Sequence, residues 1–183
     1  MTMNPQNIAE EIASRVNCYH IADWAEQLAA HLAVAPTLLL PETPALRHVP
    51  LLGRKGVVLV FRYPQAEQHS RSDPQKWALE DVTFFPQEHV EHGRWPYSLP
   101  WGLDATGESP DSARSKLSND TAGGDARDIA AGDRRITYFL SDARAVELTF
   151  GPGMRGLERI SVSRLGVAMP EAYFKQESPN SFT

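Results

Sequence analysis

Glu88-His89-Val90-Glu91-His92 is the densest set of chemically capable side chains in this sequence. On a helix His89 and His92 would share a face, and two neutral imidazoles at that spacing can hold zinc or copper when a third ligand converges. The order differs from His-Glu-x-x-His, where the glutamate sits beside the first ligand. Pro86 and Gly93 flank the stretch, and His69 and Asp73 are the nearest help. The segment therefore reads as a linker with titratable histidines. A metal-assisted site at His89 and His92 is the alternative, and no cofactor is expected.

Other chemistry has weaker signals. No Gly-x-Ser-x-Gly elbow is present, and a nucleophile needs a neighbouring base that a third group orients. His20 and His31 fall on the N-terminal helical pattern, where a structural or surface role suits them. Gly151-Pro-Gly-Met-Arg-Gly156 joins two strand patterns and lacks the Gly-Lys-Ser/Thr ending of a phosphate loop, so it reads as a tight hairpin. Cys18 is the only cysteine, which excludes an intrachain disulfide and a Cys-rich zinc site and agrees with a reducing compartment. The chain reads as a protein without catalytic activity.

Residues that could bind a partner are better represented. Trp95-Pro-Tyr97-Ser-Leu99-Pro-Trp101 borders an acidic segment, residues 104–133, which holds seven acids against three bases and contributes −4 of the net charge of −5. Aromatic anchors ringed by carboxylates suit a basic protein partner, and an acidic surface repels nucleic acid. The candidate partner-binding residues are Trp95, Tyr97, Asp104, Glu108, Asp111, Asp120, Asp125 and Asp128. Leu99 and Trp101 are assigned to the core between the units, as are Trp24 and Trp77 within apolar-periodic elements.

The elements that must carry these residues follow from periodicity. Residues 5–35 read as helix, with Ile8, Ile12 and Val16 and then Ile21, Trp24, Leu28 and Leu32 at helical spacing, capped by Asn4 before Pro5. Four prolines between Pro36 and Gly53 predict an extended connector. Two strand patterns then repeat. Val57-x-Leu59-x-Phe61 followed by Leu79-Glu-Asp-Val-Thr-Phe84 recurs as Val146-x-Leu148-x-Phe150 followed by Leu157-Glu-Arg-Ile-Ser-Val162, the alternation of half-buried antiparallel strands. Between the halves, Pro86–Leu103 reads as a linker, Ser109–Leu117 as a short helix capped by Ser109, and residues 118–133 as a surface loop. Strands are predicted over Arg135–Leu140, Ala145–Phe150 and Leu157–Leu165, and a polar tail after Pro170. The expected class is α+β: an N-terminal helix followed by two duplicated small antiparallel β-sheet units with helices packed on one face. The units span residues 1–93 and 94–183.

Leu99-Pro-Trp-Gly-Leu103, the helix with Ala113, Arg114 and Leu117, and the three strands after it resemble a recurring bacterial unit. This is the helix-plus-meander module of the β-lactamase-inhibitor-protein and outer-membrane-assembly-lipoprotein type, also found in immunity proteins of bacterial toxin systems. The resemblance implies an immunity or inhibitor protein that binds and neutralises a cognate toxin, with a small histidine-containing enzyme or a structural adaptor of a secretion system as the other readings.

With 183 residues, 42% of them hydrophobic, the chain has the composition of a globular protein. No apolar run approaches the roughly 20 residues of a membrane span, and Met1–Glu11 lacks the pattern of a secretory signal. A cytoplasmic location without membrane association is expected; the sequence does not fix the oligomeric state.

Overall fold

The alternating runs become strands of one antiparallel sheet. The computed structural model describes residues 7–42, 45–63, 73–118, 134–140 and 142–164. The strands are β1 (Arg47–His48), β2 (Val57–Arg62), β3 (Ala78–Phe84), β4 (Arg135–Phe139), β5 (Arg144–Phe150) and β6 (Leu157–Arg164). They hydrogen-bond in the order β1-β2-β3-β6-β5-β4. The α+β class stands, and the two units share a single sheet.

The sequence repeat is also a repeat of register. Val57↔Phe84, Leu59↔Val82 and Phe61↔Leu79 in the first unit recur as Val146↔Val162, Leu148↔Ile160 and Phe150↔Leu157 in the second. Even the irregularity recurs. The register skips at Val60/Phe61 and again at Thr149/Phe150, leaving Glu80 and Glu158 as the extra residues of two β-bulges. Each bulge glutamate ion-pairs an arginine from an outer strand or its approach: Arg47 Nε lies 3.0 Å from Glu80 and Arg134 Nη1 lies 2.9 Å from Glu158. The units join where Asp81, Val82, Thr83 and Phe84 pair with Ser163, Val162, Ser161 and Ile160. Thr83 and Ser161 hold the same position in the two repeats and face each other, so a pseudo-two-fold axis passes between them.

Four helices complete the fold: α1 (Ile8–Ser14), α2 (Ala22–Leu32), α3 (Pro36–Leu39) and α4 (Pro110–Leu117). The continuous N-terminal helix expected from periodicity is corrected to two. Asn17 and His20 adopt left-handed conformations, with φ of 70° and 56°, which end α1 and turn the chain before α2. The turn also brings the Asn17 amide to the Leu79 carbonyl, 2.7 Å away, at the end of β3 that β6 does not reach. The proline-rich connector is corrected in part as well. Pro36 opens a single helical turn, the position at which proline is tolerated, and Leu39 inside it is fully buried. α4 is as expected: the Ser109 hydroxyl accepts a bond from the Ser112 amide at 3.3 Å. Asn4, Pro5, His69, most of the 118–133 loop and the tail after Pro170 lie outside the described residues.

All four helices lie on one side of the sheet. Ile8 and Ile12 of α1, Trp24 and Leu28 of α2, Leu39 of α3 and Leu117 of α4 form one buried cluster with Leu59, Phe61, Phe84, Leu148, Phe150 and Ile160. Each such side chain contributes about 1.5–3 kcal/mol by leaving water. Trp24 and Trp77 are buried as expected. The linker Pro86–Leu103 is bonded onto this body: the Trp95 amide donates to the Phe85 carbonyl at 2.8 Å and the Gly56 amide to the His92 carbonyl at 2.6 Å. The Trp101 amide reaches a Glu10 carboxylate oxygen on α1.

Candidate functional site

The aromatic run faces inward. Trp95 was expected at the surface but is 2% exposed. Its backbone runs beside Phe85, which turns the indole to the helix side against Phe84, ring centres 5.1 Å apart. Its Nε1 donates to the Ser98 carbonyl at 3.2 Å. Tyr97 is half-buried between Trp95 and His31, at 5.1 and 4.8 Å. Leu99 and Trp101 are partly buried against the same core. A surface anchor at Trp95 is therefore replaced by a core plug.

The acidic residues do not form one patch. Glu108, also expected at the surface, is 1% exposed; its Oε2 accepts from Lys116 Nζ at 2.7 Å and from the Asp104 amide at 2.6 Å. It ties the loop before α4 to the helix instead of facing a partner. Asp104 is exposed and accepts bonds from the Thr106 amide and hydroxyl at 2.8 and 3.1 Å, and those bonds hold its carboxyl below the usual range. Asp111 is exposed in the first turn of α4, where the helix dipole favours a negative charge. Asp120, Asp125 and Asp128 lie outside the described residues.

His89 and His92 are brought together by a turn, not a helix. Their rings stack at 4.8 Å and both lie against Phe85, at 4.4 and 4.7 Å. The Glu91 and His92 amides donate to His89 Nδ1, each at 3.3 Å, which occupies that lone pair. Burial lowers both pKa values, and for His89 the neighbouring His92 lowers it further. Among the described residues no group of three or more His, Cys, Asp or Glu side chains gathers as metal ligands.

The chemistry that converges most closely lies on the sheet face away from the helices. Val82 and Phe84 of β3 point into the core, so alternation places Asp81, Thr83 and Phe85 on the other side. The Thr83 and Ser161 hydroxyls meet there at 3.0 Å. Beside them Asp81 is 1% exposed, and neither of its carboxylate oxygens has a hydrogen-bond partner among the described residues. Two ion pairs flank it. Arg47 holds Glu80, which also lies 4.0 Å from Arg62, and Arg159 Nη2 meets Glu147 at 2.9 Å. Burial pushes the Asp81 carboxyl up to about 8, opposed by Arg47 and reinforced by Glu80 and Glu147. At neutral pH it is mostly protonated, a hydrogen-bond donor and acceptor in place of a charge.

None of these face residues stood out in the sequence. The available signal was Glu80-Asp81 inside an apolar strand pattern, because a carboxylate seldom occupies a central strand without a partner.

Comparison of the chain with protein-family models, with curated proteins and with solved structures gave no match.

Proposed function

We propose that this chain is a binding protein of the immunity or inhibitor type, which captures a basic toxin protein and carries out no reaction of its own. The observation that supports this reading most directly is the one-sided construction of the sheet. Helices cover one face, while the other carries the Arg47–Glu80 and Arg159–Glu147 ion pairs, whose arginines are partly exposed, beside hydroxyls that are buried. Large sheet faces of this kind suit protein partners, whose contacts combine a desolvated centre with charged surroundings. The negative balance of residues 104–133 would steer a cationic partner towards the molecule. With Trp95 and Glu108 buried, Tyr97, Asp104 and Asp111 are the described acidic-segment and aromatic candidates left to touch it. No helix among the described residues is long and apolar enough to cross a membrane, and a cytoplasmic site of action is part of the proposal.

Co-expression with the product of the neighbouring gene tests the reading. Cell survival together with a co-purifying complex is the expected result. Absence of toxicity and of any complex would overturn it. Reversal of Asp111, Asp120, Asp125 and Asp128 to Lys should slow association; unchanged binding would refute the electrostatic part.

A further inference from the structure

We propose that the turn of residues 88–93 is a proton-operated cover on the sheet face away from the helices: it is closed while His89 is neutral, and a proton on His89 Nδ1 opens it and lifts two imidazoles off Phe85. Its operation does not depend on the toxin reading.

The turn is fastened twice. Its backbone ends exchange bonds, the Gly93 amide to the His89 carbonyl at 2.8 Å and the His89 amide to the Gly93 carbonyl at 3.2 Å. Inside that ring the Glu91 and His92 amides both donate to His89 Nδ1. Nδ1 accepts only through a bare lone pair, so the neutral imidazole carries its hydrogen on Nε2. A second proton then has Nδ1 as its only place, where it would face two N–H donors. Protonation turns the fastening into a repulsion, and the ring must leave the amides.

The moving part is bounded. The Trp95 amide donates to the Phe85 carbonyl across the base of the excursion, so the turn can swing without loss of β3. Beyond that base the His89 and His92 rings lie against each other and against Phe85, which is buried. An imidazolium in this stack would be partly desolvated beside a second ring that also titrates. The charged groups around the pair are Glu91 of the turn, 3.8 Å from His92 Nε2, Arg159 of β6, and the Arg54–Glu88 ion pair. Glu91 favours the cation from a largely exposed position, where water screens it; Arg159 opposes the cation, and Glu88 is engaged by Arg54. The lowering of both imidazoles agrees with a closed turn that excludes the proton.

Imidazole NMR and amide hydrogen exchange of the full chain test the cover. At neutral pH the His89 ring should show the tautomer with hydrogen on Nε2. Below the ordinary 6.5, after correction for intrinsic exchange, opening at the Glu91 and His92 amides should rise about tenfold per pH unit while the β3 amides stay protected. Cross-relaxation between Phe85 and the two imidazoles should fade over the same range. Two variants separate the acceptor from the ring. His89→Asn sets an oxygen where Nδ1 stood and does not titrate, so its turn should stay closed and respond to acid less steeply than the parent. His89→Phe keeps a ring against Phe85 without an acceptor, and its turn should be open at every pH. The opposite tautomer, turn exchange that is flat below 6.5 or rises only together with that of β3, a His89→Asn response as steep as the parent's, or a protected turn in His89→Phe would each overturn the proposal.

Discussion

The hydroxyls of Thr83 and Ser161, 78 residues apart in sequence, meet at 3.0 Å on the pseudo-two-fold axis of the sheet. Both residues are buried, at 0% and 4% exposure, so each hydroxyl depends on the other. Thr83→Val or Ser161→Ala should cost about 1–3 kcal/mol by stranding the remaining hydroxyl. The double variant should cost less than the two added together. Denaturant unfolding of all four proteins measures the coupling; strict additivity would contradict it.

Asp81 moves from its ordinary 3.8 to about 8 in the folded chain. Between those values the folded state keeps a proton that the unfolded state has released, so stability falls as pH rises through the window and levels off above it. Asp81→Asn should lose that decline and exceed the parent in stability at the alkaline end. Urea unfolding across the window reads the slope directly.

His89 and His92 shift the other way. Their lowered pKa values favour the neutral pair, so the stabilisation they provide is complete above the ordinary 6.5 and is lost as pH falls through the lowered values. Replacing both with Gln should flatten the fall in stability on the acid side of the ordinary 6.5. It should leave in place the decline between 3.8 and about 8 that is due to Asp81.

Gly56 has φ of 72°, and a Cβ there would overlap the backbone of Arg94 and Trp95. Gly56→Ala should therefore destabilise by on the order of 3 kcal/mol, combining backbone strain with overpacking. Trp95→Ala should cost about 3–5 kcal/mol. Thermal unfolding decides both; a surface Trp95 would show almost no change.

Much of the sheet was legible because alternation is a local property. The patterns beginning at Val57, Leu79, Ala145 and Leu157 each become strands, and Ser109-Pro110 marks the start of α4 through a capping bond made within four residues. The break between α1 and α2 left a trace as well, since the apolar spacing steps from Val16 to Ile21 and departs from the three-or-four rhythm of a helix. Trp95 and Glu108 were misread because composition does not tell which way a loop side chain turns. That depends on partners distant in sequence, Phe84 for the indole, or on a helix, such as α4 with Lys116, that must first be in place. Asp81 was hidden by its apolar strand, and the ion pairs beside it come from β1, β5 and β6, which only the assembled sheet brings together.

The four residue pairs of the β3–β6 seam have a consequence for the order of folding. Within each unit, β2–β3 and β4–β5–β6 are chain neighbours whose closure entropy is modest, whereas the seam closes a loop of nearly eighty residues. Each unit can therefore gain most of its hydrogen bonds before the seam exists, leaving β3 and β6 as temporary edges. Until they meet, each is an unprotected edge open to pairing with another molecule. Two identical chains arrested at that point could complete the sheet by exchanging halves, because the register at the axis is the same in either direction.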